Sequence, residues 1–193
     1  EEDSSTDDLI ALVNDIIPFQ MSHNAEAEAA DLLIEVQKLD KFVTFDPPVV
    51  DDRNYERVCL YLLRTADFMG DPEDLDNIFS TCFSIYMSRN KYFDALRVAL
   101  KMDDNERISE VFSAVDKAGN SGNKKFPKDG QLVSAINTKK QMAILLGRHR
   151  SSFVLPDEDD ESFEYGQGDS LTLNALIGNV ELSDRFLAVS RDM

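Results

Sequence analysis

Two histidines, two cysteines and one dense run of acids are the residues here whose types suit metal binding, nucleophilic attack or proton transfer. His23 and Glu26 stand three apart, so on a helix they could share a metal ion. A zinc site needs three or four ligands, however, and neither cysteine lies near them in sequence. A cysteine hydrolase needs an exposed thiolate of lowered pKa with a histidine held beside it. Cys59 and Cys82 instead sit in the middle of apolar helical patterns, where cysteine acts as a small core hydrophobe. The run Asp157, Glu158, Asp159, Asp160 and Glu161 has charge enough for calcium, but it lacks the glycine and the distal glutamate that shape an EF-hand loop. No glycine-rich phosphate loop, G-x-S-x-G, H-E-x-x-H or paired C-x-x-C occurs. The expectation is a protein that is not an enzyme and has no cofactor and no metal.

If side-chain chemistry is not the activity, the elements themselves become the subject. The chain has 193 residues, 42% hydrophobic and 30% charged, enough for one helical domain with a real core. It opens on Glu1 and closes on "FLAVSRDM", a periodic helix with no stop signal, which reads as a segment of a larger protein. "DDLIALVNDII" puts Leu9, Leu12, Val13 and Ile16 at helical spacing, with Pro18 as its end. "HNAEAEAADLLIEVQKLD" reads as a helix capped by Asn24 with the stripe Leu32, Leu33, Val36 and Leu39. Pro47-Pro48 breaks the pattern. Asp52 is the expected cap of a helix carrying Tyr55, Val58, Cys59, Leu62 and Leu63, closed by Gly70 in the left-handed conformation.

Asp71-Pro72 is a cap followed by proline at the first helical position, and Leu75, Ile78, Phe79, Cys82, Phe83 and Tyr86 form the buried face behind it. "RNKYFDALRVALKMDDNERISEVFSAV" gives two more helices hinged at Asp103-Asp104, with Asp104 capping the second. Loops expected to be mobile lie at about 117–130 and 156–169, helix resumes in "QLVSAINTKKQMAILLGRH", and "SLTLNALIG" and "ELSDRFLAVS" close the chain as short helices. No stretch alternates convincingly as a strand. The fold class is therefore all-α, a stack of antiparallel helix pairs resembling an α-solenoid. Tyr55, Cys59, Leu62 and Leu63 superpose on Tyr92, Leu96, Ala99 and Leu100 at one offset, with no third copy, so any repeats are degenerate.

Charge narrows the partners. Thirty-seven acids against twenty bases leave a formal net charge of −17, which repels a phosphate backbone and argues against nucleic acid. Bases concentrate at Lys117, Lys124, Lys125, Lys128, Lys139, Lys140, Arg148 and Arg150, a stretch read as a solvated loop and helix face. No apolar run reaches the ~18 residues of a membrane span, there is no signal-peptide pattern and no N-glycosylation sequon, and two isolated cysteines fit a reducing, intracellular compartment.

Several segments, in order, carry a family resemblance: "HNAEAEAADLLIEVQKLD", "RVCLYLL", "DALRVALKM", "KQMAILLGRH" and "LSDRFLAVSRDM". Together they resemble the N-terminal helical region of the family of proteasome regulatory-particle non-ATPase subunit one, the large scaffold of the base. The resemblance implies a non-catalytic organiser in the cytoplasm and nucleus. It would be held against other base subunits, the ATPases included, and would help receive ubiquitin or ubiquitin-like proteins. The family's glycine- and alanine-rich toroid, with its receptor sites, is absent from a chain of only eight glycines, so none of those residues transfers. The alternatives are an independent helical-repeat adaptor that binds peptide segments and, last, a cysteine hydrolase. Ubiquitin-like folds offer an apolar patch ringed by basic side chains, and the acidic cluster Asp71, Glu73, Asp74 and Asp76, beside the turn at Met69-Gly70, is the candidate surface for one.

Overall fold

Apolar side chains three and four apart dictate most of this chain, and the computed structural model describes it over residues 2–120, 135–165 and 169–179. The described residues hold nine α-helices, one 3-10 turn and one pair of short strands, so the class is all-α and solenoid-like. The chain divides into two compact units, Glu1–Val98 and Ala99–Met193.

In the first unit α1 (Glu2–Ser22) packs on α2 (Glu26–Glu35), α2 on α4 (Tyr55–Ala66) and α4 on α5 (Pro72–Ser88), with the short α3 (Lys41–Thr44) against α5. α4 buries Tyr55, Val58, Cys59 and Leu62, and α5 buries Ile78, Cys82, Phe83 and Ile85. Each large apolar side chain so buried contributes about 1.5–3 kcal/mol. Polar ties fix the register of α4 on α2: the buried Glu26 accepts from Arg57 Nε at 3.0 Å, and Tyr61 donates to Asp31 at 2.6 Å.

The caps fall partly where expected. Asp71 accepts from the Glu73 amide at 2.8 Å, and Asp104 from the Glu106 and Arg107 amides at 2.9 and 3.1 Å. Five expectations are corrected. α1 runs through Pro18, because Val13, Ile17 and Met21, buried at four-residue spacing, hold the helix past the missing donor. Leu9 and Leu12, read as part of its buried stripe, stand half exposed. Asn24 caps nothing; it adopts a left-handed turn with φ 58°. Asp52 pairs with Arg89 at 3.1 Å and caps nothing; the turn just before α4 is held by a reciprocal exchange in which Asp51 accepts from the Asn54 amide at 3.2 Å and Asn54 from the Asp51 amide at 2.7 Å. Gly70 does not close α4 either, since that helix tightens through three successive i to i−3 bonds from Asp67, Phe68 and Met69.

Helix ends in both units share another device. Among the described residues, Asn24, Gln37, Asn90, Asp103 and Arg150 are the non-glycine residues with positive φ. Each is followed by an amide that bonds back to the carbonyl five residues earlier: Ala25 to Gln20, Lys38 to Leu33, Lys91 to Tyr86, Asp104 to Ala99 and Ser151 to Leu146. This is the Schellman closure.

α6 (Tyr92–Met102) contains the boundary between the units. In the second unit α7 (Asn105–Asn120) packs on α8 (Ala135–Arg148) and α8 on α9 (Leu173–Gly178). α8 continues unbroken through Asn137. Phe112 stacks on Phe153 with centroids 6.0 Å apart, and Asn174 clamps Leu155 by accepting from its amide at 2.8 Å and donating to its carbonyl at 3.0 Å. The absence of strands is corrected: β1 (Ser162–Tyr165) pairs antiparallel with β2 (Asp169–Thr172), Phe163 opposite Leu171. With the turn at Asp157–Asp159, β1 occupies part of the stretch read as an acidic loop, and β2 takes the start of "SLTLNALIG". α7 takes the start of the loop read at 117–130; residues 121–134, 166–168 and the closing "ELSDRFLAVS" lie outside the described residues.

Candidate functional site

The residues with intrinsic chemistry are dispersed by the fold. The His23 ring lies on Phe19, centroids 4.2 Å apart, with Nδ1 2.7 Å from the Phe19 carbonyl, whereas Glu26 turns away to Arg57. Cys59 and Cys82 are fully buried free thiols, and the Cys82 thiol points at the Cys59 carbonyl 4.0 Å away. Burial, together with those two cysteines, pushes the neighbouring Tyr86 hydroxyl far above its ordinary range, so it stays protonated. No group of three or more His, Cys, Asp or Glu side chains among the described residues is placed to hold a metal ion. No described helix is long and apolar enough to cross a membrane.

The basic stretch is also rearranged. Lys139, read as part of a solvated face, is buried with Nζ 2.5 Å from both Asp116 and Glu161. Desolvation alone would depress its pKa, but the hydrogen bonds that its ammonium donates to the two carboxylates outweigh that and raise it. Lys140 lies over the Phe163 ring at 4.1 Å, and burial lowers its pKa.

The four acids proposed from sequence do gather at one place, the start of α5. Asp71 is committed to the cap. Glu73 and Asp76, three residues apart, share the exposed face, and the Asp76 carboxylate accepts a long bond of 3.4 Å from Ser80. Asp74 turns toward a cavity of about 340 Å³ between α5 and the α2–α3 segment. Its floor is apolar, with Ile34, Leu39, Val43, Met69 and Ile78. Its polar lining includes Asp40 and Asp74 and no basic side chain. Beside Met69 the ring of Phe68 is 89% exposed, the most open large apolar side chain described. The acids were legible in sequence because charges in a first helical turn stay in solvent. The groove was not, because its walls come from helices far apart in the chain, and Phe68 reads like any turn residue.

The sequence pattern of the family described as RPN1 N-terminal domain matches residues 1–193. The chain is 36% identical over 193 residues to the 26S proteasome non-ATPase regulatory subunit 2 of Dictyostelium discoideum. It is 32% identical over 195 residues to homolog A of that subunit in Arabidopsis thaliana, and 31% identical over 193 residues to the 26S proteasome regulatory subunit rpn1 of Schizosaccharomyces pombe. Each alignment covers 100% of this chain and 18% of the relative.

Proposed function

The chain belongs to the RPN1 N-terminal domain family, and from that membership we propose that it is a non-catalytic scaffold segment of the proteasome regulatory particle base, cytoplasmic and nuclear. It forms a helical domain of a longer polypeptide, contacting other base subunits, the ATPases among them. The relatives' names, regulatory and non-ATPase, support a role without nucleotide hydrolysis. The scaffold also offers a docking surface for ubiquitin or a ubiquitin-like domain at the start of α5. One observation carries that reading: an exposed aromatic ring, Phe68, and an apolar groove lie beside Glu73, Asp74 and Asp76 with no base in the groove lining. A partner with an apolar patch ringed by lysine and arginine meets both requirements.

Titration of the labelled chain with ubiquitin tests it. Shifts confined to residues 68–80, with affinity on the order of 10–500 µM that weakens with salt, are the expected result for so small a surface. Glu73→Lys with Asp76→Lys lowers the affinity and leaves helicity unchanged. A titration to millimolar ubiquitin without a residue-specific shift removes the docking surface and leaves the architectural role. The second reading, an adaptor that holds a peptide in the 340 Å³ groove, rests on that groove alone. It is separated by shifts at Ile34, Leu39 and Ile78 with no involvement of Phe68.

A further inference from the structure

α1 carries two apolar stripes, and its own fold uses one. Val13, Ile17 and Met21 are buried on the side that packs on α2. Leu9, Leu12, Ile16 and Phe19 form the other: Leu9 is 50% exposed, Leu12 54% and Phe19 64%. At about 100° per residue the stripes are centred about 120° apart, so the packing that buries the first leaves the second uncovered. A single exposed leucine is ordinary. Here the second stripe, with a half-buried Ile16 between the exposed Leu9, Leu12 and Phe19, repeats at intervals of three, four and three residues, the a and d spacing of a coiled-coil seam.

The flanks of that seam specify a partner. With Leu9 and Ile16 at a and Leu12 and Phe19 at d, Asp8 and Asp15 both fall at g, and both are exposed. No lysine or arginine occurs between Asp8 and Ser22. The opposite e flank is Val13, already in the core, and Gln20. The seam is thus bounded by the protein's own core on one side and by a row of carboxylates on the other.

We propose that the outward face of α1 is a docking seam for one partner helix that has an apolar heptad stripe and lysine or arginine on the flank meeting Asp8 and Asp15. A second copy of this chain does not fit. Antiparallel pairing would set the aspartate row against itself, and parallel pairing would set it against the buried Val13. The same row repels an anionic lipid surface. This surface is separate from the one at the start of α5, so the two proposals stand or fall independently.

The test titrates the 193-residue labelled chain with three synthetic helical peptides. One has leucine and isoleucine at a and d with lysine at e and g, one has glutamate in place of the lysines, and one has the lysine composition scrambled to destroy the heptad. The lysine heptad peptide shifts the signals of α1 from Leu9 to Phe19, with at least about tenfold higher affinity than the other two, as expected for matched seam and charge. Leu12→Asp, at an exposed site, abolishes that binding. Asp8→Lys with Asp15→Lys exchanges the preference, weakening the lysine peptide and strengthening the glutamate one. Equal binding of the scrambled peptide reduces the effect to net charge and overturns the proposal. So does binding by none of the three, a response confined to residues outside α1, or a chain dimer in sedimentation that Leu12→Asp dissociates.

Discussion

Replacing Lys139 with methionine removes a cation that two carboxylates share, and the structure sets the size of the loss. Lys139 on α8 is 2% exposed, while the Asp116 side chain on α7 is 31% exposed and that of Glu161, just before β1, 45%. Each charge-assisted bond is worth about 1.5–3 kcal/mol. With Nζ gone, two anionic oxygens remain at most about 5 Å apart, repelling by about 1–3 kcal/mol at effective dielectric constants between those of water and a protein surface. Both carboxylates can rehydrate, which returns part of this, so the cost falls below the full penalty of breaking a buried pair, at about 2–4 kcal/mol. Because two compact units need not unfold together, the assay is urea unfolding read by amide exchange within α8. Adding Asp116→Asn and Glu161→Gln to Lys139→Met removes the repulsion and recovers about half of the loss. The ammonium supplies a further check in alkali. Its pKa is raised above the ordinary value of 10.5, so its stabilisation is complete below that value and is lost as the pH climbs through the raised one. The methionine variant lacks that alkaline slope. A Lys139→Met protein within about 0.5 kcal/mol of the parent, or a triple variant no more stable than the single, would refute the idea that this cation ties α7, α8 and the start of β1 together.

Phe83→Ala, at a site 5% exposed on α5, should cost about 3–5 kcal/mol by transfer and cavity terms, read as a lower urea midpoint. Asp71→Ala removes the bond to the Glu73 amide and should cost about 1 kcal/mol; an unchanged midpoint would deny the cap any role. Gln37→Gly and Arg150→Gly should each stabilise by up to about 1 kcal/mol, because glycine escapes the left-handed penalty and forfeits less than that in unfolded-state entropy. A lower midpoint for both would show that those turns depend on the side chains.

What the sequence disclosed was local. Asp71-Pro72 and Asp104 announce their helices because a cap involves residues only two or three apart. The offset superposing Tyr55 on Tyr92 is matched by the structure, where α4 and α6 each begin at that tyrosine and bury it. Of the stripe read on α5, Ile78, Cys82 and Phe83 are buried, Leu75, Phe79 and Tyr86 are half-buried, and the buried Ile85 was missed. The errors came where a distant partner decides. Pro18 would end an isolated helix, yet packing of Ile17 and Met21 carries α1 onward. Lys139 looks like one more base in a basic run until Glu161 reaches it from 22 residues away. The groove beside Asp74 exists only once α3 lies against α5. Glycine proved a misleading marker of helix ends among the described residues, since the left-handed positions there are Asn24, Gln37, Asn90, Asp103 and Arg150.

Those five closures bear on how the sequence can drift. Each reverses the chain with backbone bonds, and the side chain at the left-handed position contributes none of them. The information that sets one helix against the next therefore resides in main-chain geometry, which glycine supplies freely and residues other than proline supply at a cost of about 1–2 kcal/mol. Neighbouring helices can then exchange nearly all of their letters while the angle of the turn is inherited. A stack built this way keeps its architectural rhythm after its repeats have ceased to be readable as text.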